Sequence, residues 1–168
     1  FIDPTLRPGG AAEVLTQIRT IGSGFGLDSR TVSASRRIDA QELDALIRSL
    51  VDPLWSAICR SQGFENFIAR FEPGEIISQV GIESHHTYVL LKGSVAIEKD
   101  AEVLDTENRE GTFLGEIATL TGSPQQVTLR AAETIWACVF NESELERFIT
   151  LHPAVAIRLL RSMAKRLA

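Results

Sequence analysis

Glu110-Gly-Thr-Phe-Leu-Gly-Glu-Ile-Ala-Thr-Leu-Thr-Gly-Ser-Pro-Gln-Gln-Val-Thr-Leu-Arg-Ala131 decides how this chain is read. An apolar approach through Phe113 and Leu114 meets Gly115, and Glu116-Ile117-Ala118 then begins a run able to make a helical turn. The first N–H groups of such a turn have no internal acceptor, which suits them to an anion. Gly122, Ser123 and Pro124 punctuate the chain, and Val127, Leu129 and Ala131 alternate with Thr128, Arg130 and Ala132 as in a half-buried strand. A tight loop is therefore held between two strands, with Glu116 as a hydrogen-bond acceptor. Read alone, the stretch fits an ordinary strand, turn, strand connection equally well.

The flanking sequence separates these readings. Upstream stand Phe71-Glu-Pro-Gly-Glu-Ile-Ile-Ser-Gln-Val-Gly81 and Tyr88-Val-Leu-Leu-Lys-Gly-Ser-Val-Ala-Ile97; downstream come Phe140, Leu145, Phe148, Pro153 and the stripe Leu159, Leu160, Met163, Leu167. In this order the motifs resemble those of the cyclic nucleotide-binding domain family. The resemblance runs from about Phe71 to Leu167. It implies an α+β, mainly β fold: an antiparallel jelly-roll β barrel, cupin-like in outline, flanked by N-terminal and C-terminal helices.

The texture of the chain agrees. Residues 1–10 and 22–36 are rich in Gly, Pro and Ser, with helical spacing between them only over 11–21, so this opening is expected to be mobile or draped on the core. Leu43, Leu46, Ile47, Leu50, Val51, Leu54, Trp55 and Ile58 recur at three- and four-residue steps, and Pro53 is expected to split them into two helices. Asp39 caps the first, Asp52 with Pro53 starts the second, and Gly63 is the expected terminator. The stripe packs on the roll or on a second copy in a homodimer. Short strands follow over about 68–140; Val89, Leu91, Val95 and Ile97 are read as one strand face with a bend at Gly93. Asn141-Glu-Ser-Glu144 is a capping-box pattern, and Pro153 opens the last helix. The expected division is a flexible opening and helical appendage over 1–62 and a binding domain over 63–168, with C-terminal helices over about 142–168.

Composition narrows the function classes. With 168 residues, 44% hydrophobic and 23% charged, the chain suffices for one proper core. A net charge of -5 disfavours a broad nucleic-acid surface. The basic end Arg158, Arg161, Lys165 and Arg166 reads as the solvated face of a helix. Cys59 and Cys138 read as reduced core residues of a cytoplasmic protein. No apolar stretch approaches the ~20 residues that cross a bilayer, and no signal peptide is visible. The chain opens on Phe1 rather than Met, so it is expected to be a piece of a longer polypeptide, and the helix-turn-helix of the catabolite-activator branch does not follow its last helix.

The resemblance also implies a pocket, and Gln125 then becomes its decisive residue. Glu116 matches the glutamate that accepts from a ribose 2′-hydroxyl, and Gly115, Ile117 and Ala118 match positions whose backbone approaches sugar and phosphate. Gln125 stands at the arginine that pairs with the phosphate, Gln126 at the small position after it, and Val127 at the usual alanine. A guanidinium offers an anion two charge-assisted hydrogen bonds, each contributing roughly 1.5–3 kcal/mol, which a neutral amide does not replace. Removing one member of a buried charge pair costs about 2–5 kcal/mol, and ~1.4 kcal/mol is tenfold in affinity. Arg130 is placed to face away in a regular strand, whereas Arg109 and Lys92 are candidate substitutes.

No catalytic residues emerge. His85 and His86 are adjacent and point to opposite faces of a strand, which fits a surface turn better than a metal site, and His152 reads as a loop residue. The serines and acids lack the spacing of a nucleophile, base and orienter. Trp55 and Trp136 read as core. Neither metal nor cofactor is implied. Three readings follow: a non-catalytic regulatory or interaction module with its cyclic AMP or cyclic GMP binding weakened or lost, serving an effector domain or protein partner; a working cyclic nucleotide sensor using a non-homologous cation; and a cupin-like metal enzyme or binder of another small molecule.

Overall fold

Helix and strand boundaries follow from caps and turns that the sequence carries. The computed structural model describes residues 31–83 and 85–168; the helical spacing over 11–21 lies outside the described residues. Thr31 and Val32 are draped on the domain, Val32 being buried and the Thr31 hydroxyl donating to Glu144. Asp39 caps α1 (Ala40–Ser49) by accepting the Glu42 N–H at 2.7 Å. Asp52 caps α2 (Pro53–Cys59) by accepting that of Leu54 at 2.9 Å. Between them Leu50, Val51 and Asp52 leave helical geometry, so Val51 is 87% exposed and drops out of the apolar stripe. Gly63 is left-handed as expected but sits after α2 has already ended at Cys59, where it opens a short 3-10 turn, Phe64–Phe67.

Eight strands follow: β1 (Ile68–Phe71), β2 (Ile76–Ser78), β3 (His86–Lys92), β4 (Val95–Lys99), β5 (Glu102–Glu107), β6 (Thr112–Leu114), β7 (Thr128–Ala131) and β8 (Ile135–Asn141). They form two antiparallel four-stranded sheets, ordered β1-β8-β3-β6 and β2-β7-β4-β5. Asp100 and Ala101, both at positive φ, turn the β4–β5 hairpin. α3 (Glu116–Thr121) interrupts the strands between β6 and β7. After β8, Asn141 and Glu144 form a full capping box on α4 (Glu142–Leu151), and Pro153 starts α5 (Pro153–Leu167).

One expectation needs correcting. Val89, Leu91, Val95 and Ile97 do not share a strand face, because the chain changes sheet at Gly93. Gly93 has φ +102, and a Cβ there would lie 2.5 Å from the Thr134 carbonyl oxygen. Val89 and Leu91 instead face the helices, while Tyr88, Leu90 and Val95 face the space between the sheets. Two cores result. Between the sheets, Phe71, Leu90, Leu114, Leu129, Ile135 and Val139 pack together. On the helical side, Leu46, Ile47, Trp55 and Ile58 share a core with Phe67, Phe140, Phe148 and Leu159, so the apolar stripe is spent on the roll itself. Its centre is aromatic: the rings of Phe140 and Phe148 stack with centroids 4.6 Å apart, and Trp55 stacks on Phe148 at 5.9 Å. Trp136 is only half-buried; its indole N–H donates to Glu42 at 2.8 Å. Cys59 and Cys138 are both buried and unbridged in this core.

Candidate functional site

Gly115 joins β6 to α3 at φ +77, and its carbonyl accepts both the N–H and the hydroxyl of Thr119. A Cβ at Gly115 would come within 3.1 Å of the Gln125 amide nitrogen and of the His86 carbonyl oxygen. The bare Cα is what lets the Gln125 side chain lie against this backbone. The main chain of Gln125 is fixed on both sides, its N–H donating to Ile82 O at 3.1 Å and its carbonyl accepting from Gly81 at 2.8 Å. Its side chain is 4% exposed, and Nε2 has no hydrogen-bond partner. Gln126, by contrast, is exposed and donates to the Pro124 carbonyl, so it does not block the site.

Glu116, the first residue of α3, is fully buried. Its Oε1 accepts from Nη1 of Arg166, near the end of α5, while Nη2 of the same guanidinium donates to the Phe113 carbonyl at 2.6 Å. Oε2 has no partner. Burial pushes the Glu116 carboxyl above the usual carboxylate range, against the opposing pull of Arg166. Of the other two expected residues, Ala118 is buried inside α3 and Ile117 is 44% exposed on it.

Beside Gly115 opens a cavity of about 620 Å³. Its apolar wall is Ile97, Leu114, Val127 and Leu129, with Gly111 and Thr112 adjoining. α5 supplies the opposite wall, where Arg158, Arg161, Lys165 and Arg166 all line the space. The basic end of the chain is therefore a pocket wall, not merely a solvated face. Arg158, Arg161 and Lys165 come together because they stand three and four positions apart on one side of the helix, with Arg166 one step round from them. Arg158 is drawn to the α2 cap Asp52, and Arg166 to Glu116. Burial raises the Asp52 carboxyl, but Arg158 and the Leu54 N–H more than offset it and hold it below the usual range.

The candidate substitute cations part company. Arg109 lines the cavity but is held by Glu107, with Nη2 3.0 Å from Oε2. Lys92 lies over the Trp136 ring, 5.5 Å from its centroid, and does not line the cavity. Arg130 points away, as its register requires, and is bound to Glu98 at 3.0 Å and the Gly74 carbonyl at 2.9 Å. Among the described residues, no group of three or more His, Cys, Asp or Glu is placed to hold a metal ion. Sequence reasoning missed Arg161, Lys165 and Arg166 as site residues; the available signal was their helical spacing in the element that follows the roll.

Comparison with known proteins agrees with this architecture. The model of the cyclic nucleotide-binding domain family matches residues 68–152. The chain is 30% identical over 87 residues to the cAMP-dependent protein kinase regulatory subunit of Debaryomyces hansenii, a match covering 52% of this chain and 19% of that relative. A cyclic nucleotide-binding domain from Methylobacillus flagellatus superposes with a TM-score of 0.55 at 16% identity, over 76% of this chain and 77% of that one. The catabolite activator protein of Thermus thermophilus does so with a TM-score of 0.52 at 18% identity, over 77% and 55%. These two likenesses concern the fold.

Proposed function

The chain belongs to the cyclic nucleotide-binding domain family, and we propose that it acts there as a non-catalytic regulatory module whose grip on cyclic AMP or cyclic GMP is weakened or lost. The observation that carries this reading is the side chain seated against Gly115: a buried, neutral Gln125 amide. In this reading Glu116 is the acceptor for a ribose hydroxyl and the backbone of Gly115, Ile117 and Ala118 surrounds the sugar; of these Gly115 lines the open cavity, and beside it the loop has no charge to meet a cyclic phosphate. At the magnitudes of a lost buried charge pair, about 2–5 kcal/mol, a micromolar ligand falls to the high-micromolar or millimolar range.

The same site is linked to α5. Arg166 belongs to α5, so whatever competes for Glu116 also bears on how that helix sits against β6. That coupling is how a module without chemistry of its own would inform an effector domain or protein partner in the cytoplasm. Calorimetric titration with cyclic AMP and cyclic GMP tests the reading: the unaltered protein binds neither at micromolar concentration, and micromolar binding of either would refute it. The second reading, a working sensor with a relocated cation, draws support from Arg109 and the α5 cations at the cavity.

A further inference from the structure

Five cationic side chains line the cavity, and three of them are already engaged: Arg109 by Glu107, Arg158 by Asp52 and Arg166 by Glu116. Arg161 and Lys165 make no ion pair among the described residues. They stand four apart on α5, which sets them side by side on one helix face. Next to Gly115, but outside the cavity lining itself, two buried polar atoms lack partners, Glu116 Oε2 as an acceptor and Gln125 Nε2 as a donor. The cavity thus meets these groups only through Gly115, while its unpaired positive charge lies on α5. Asp105 and Glu110 also line the space, but both carboxylates are turned to backbone N–H groups, of Thr106 and of Val51 and Asp52 respectively.

We propose that this pocket takes a ribonucleoside monophosphate, with the phosphate held by Arg161 and Lys165 of α5 instead of by the loop after α3. The inference rests on the reading of Glu116 as the acceptor for a sugar hydroxyl. A cyclic phosphodiester carries one charge and is locked against the sugar, so placing its ribose on Glu116 fixes its phosphate near neutral Gln125. An open phosphomonoester carries about −1.5 to −2 charge at neutral pH and sits on a rotatable arm. Two unpaired cations match that charge, and a free arm lets it swing to the α5 wall. A cavity of about 620 Å³ is of the size that encloses ligands of this class.

The test is calorimetric titration of the chain with 5′-AMP and 5′-GMP, beside adenosine, guanosine, cyclic AMP, cyclic GMP and inorganic phosphate, at low and high salt. At least one monophosphate binds tenfold or more tightly than both its nucleoside and its cyclic counterpart, and the difference shrinks with salt. The double substitution Arg161→Ala with Lys165→Ala brings the monophosphate down to the level of the nucleoside while leaving the nucleoside and the thermal midpoint unchanged, since both side chains are exposed. The inference is overturned if the monophosphate binds no more tightly than its nucleoside, if the double variant retains the difference, if inorganic phosphate alone binds as well, or if no nucleotide binds. Micromolar binding of a cyclic nucleotide is a separate arm, and it would refute the weakened-module reading.

Discussion

The guanidinium of Arg166 spans from the terminal helix to the buried carboxylate of Glu116 and the carbonyl of Phe113. One arginine therefore joins the last turn of α5 to the start of α3 and to β6, beside the pocket. Half of the Glu116 acceptor capacity is in use and half, Oε2, is free.

This pair sets a pH dependence with a definite sign. The Glu116 pKa is raised in the folded state by burial, so the folded protein holds that proton more tightly than the unfolded chain, where glutamate titrates near ~4.3. The stability linked to this proton is complete below the unfolded value and is lost as pH rises through the folded one. Thermal unfolding of the protein and of Glu116→Gln across pH 4 to 8 reads it: the unaltered protein falls behind the variant as pH rises. Arg166→Ala removes the charge that opposes burial, so the carboxyl resonance of Glu116 titrates higher still by NMR. A stability gap that does not change with pH would contradict this account.

Two glycines of similar backbone angle separate conformational strain from crowding. Gly74 has φ +84 and open space where a Cβ would go, whereas Gly93 has φ +102 with the Thr134 carbonyl 2.5 Å and the Ile135 Cα 2.9 Å from that position. Gly74→Ala costs about 1–2 kcal/mol for the left-handed conformation alone. Gly93→Ala adds overpacking of typically ~1–3 kcal/mol where the chain changes sheet. Denaturant unfolding orders the two variants, and equal losses would show that the sheet crossing is not tightly packed.

The thiols give a third expectation. Burial pushes Cys59 up to about 12 and Cys138 well above the usual thiol range, so neither forms a thiolate at neutral pH. Iodoacetamide at pH 7.5 leaves both unmodified in the native protein and labels both in denaturant. Rapid labelling of the native protein would mean that the core of Trp55, Phe140 and Phe148 opens far more readily than its packing implies.

A fourth expectation concerns that core. Phe148 touches the rings of Trp55, Phe64 and Phe140 and joins α2, α4 and β8. Phe148→Ala costs about 3–5 kcal/mol by cavity formation, seen as a fall in the urea midpoint. A loss below ~1 kcal/mol would show that the helices do not depend on this contact.

What was legible in the sequence was local. Asp39, Asp52 and Asn141 cap the helices their neighbours begin, and the Gly115–Gln125 cassette folds as the loop its punctuation describes. What escaped depended on where the backbone breaks and on how the elements then dock. Val51 has helical spacing, yet the backbone between the capped helices carries it to the surface. Val89 and Val95 are six apart in an apolar run, but the left-handed Gly93 sends them to different cores. The charges of α5 looked like solvent-facing residues because nothing local tells a helix which side meets a cavity. Only the docking of α5 on the roll, through buried Val155 and Leu159 and the Arg166 contact to Phe113, sets them along the cavity.

The most direct test of the central claim is the affinity for cyclic AMP of Gln125→Arg relative to the unaltered protein, measured by calorimetry, with Gln125→Lys alongside because the seat is narrow and the thermal midpoint checking that each folds. Restoring a charge beside Gly115 is expected to gain 30-fold or more, about 2 kcal/mol. Micromolar binding by the unaltered protein, or folded variants with no gain, would contradict the assignment of Gln125 as the residue that weakens this pocket.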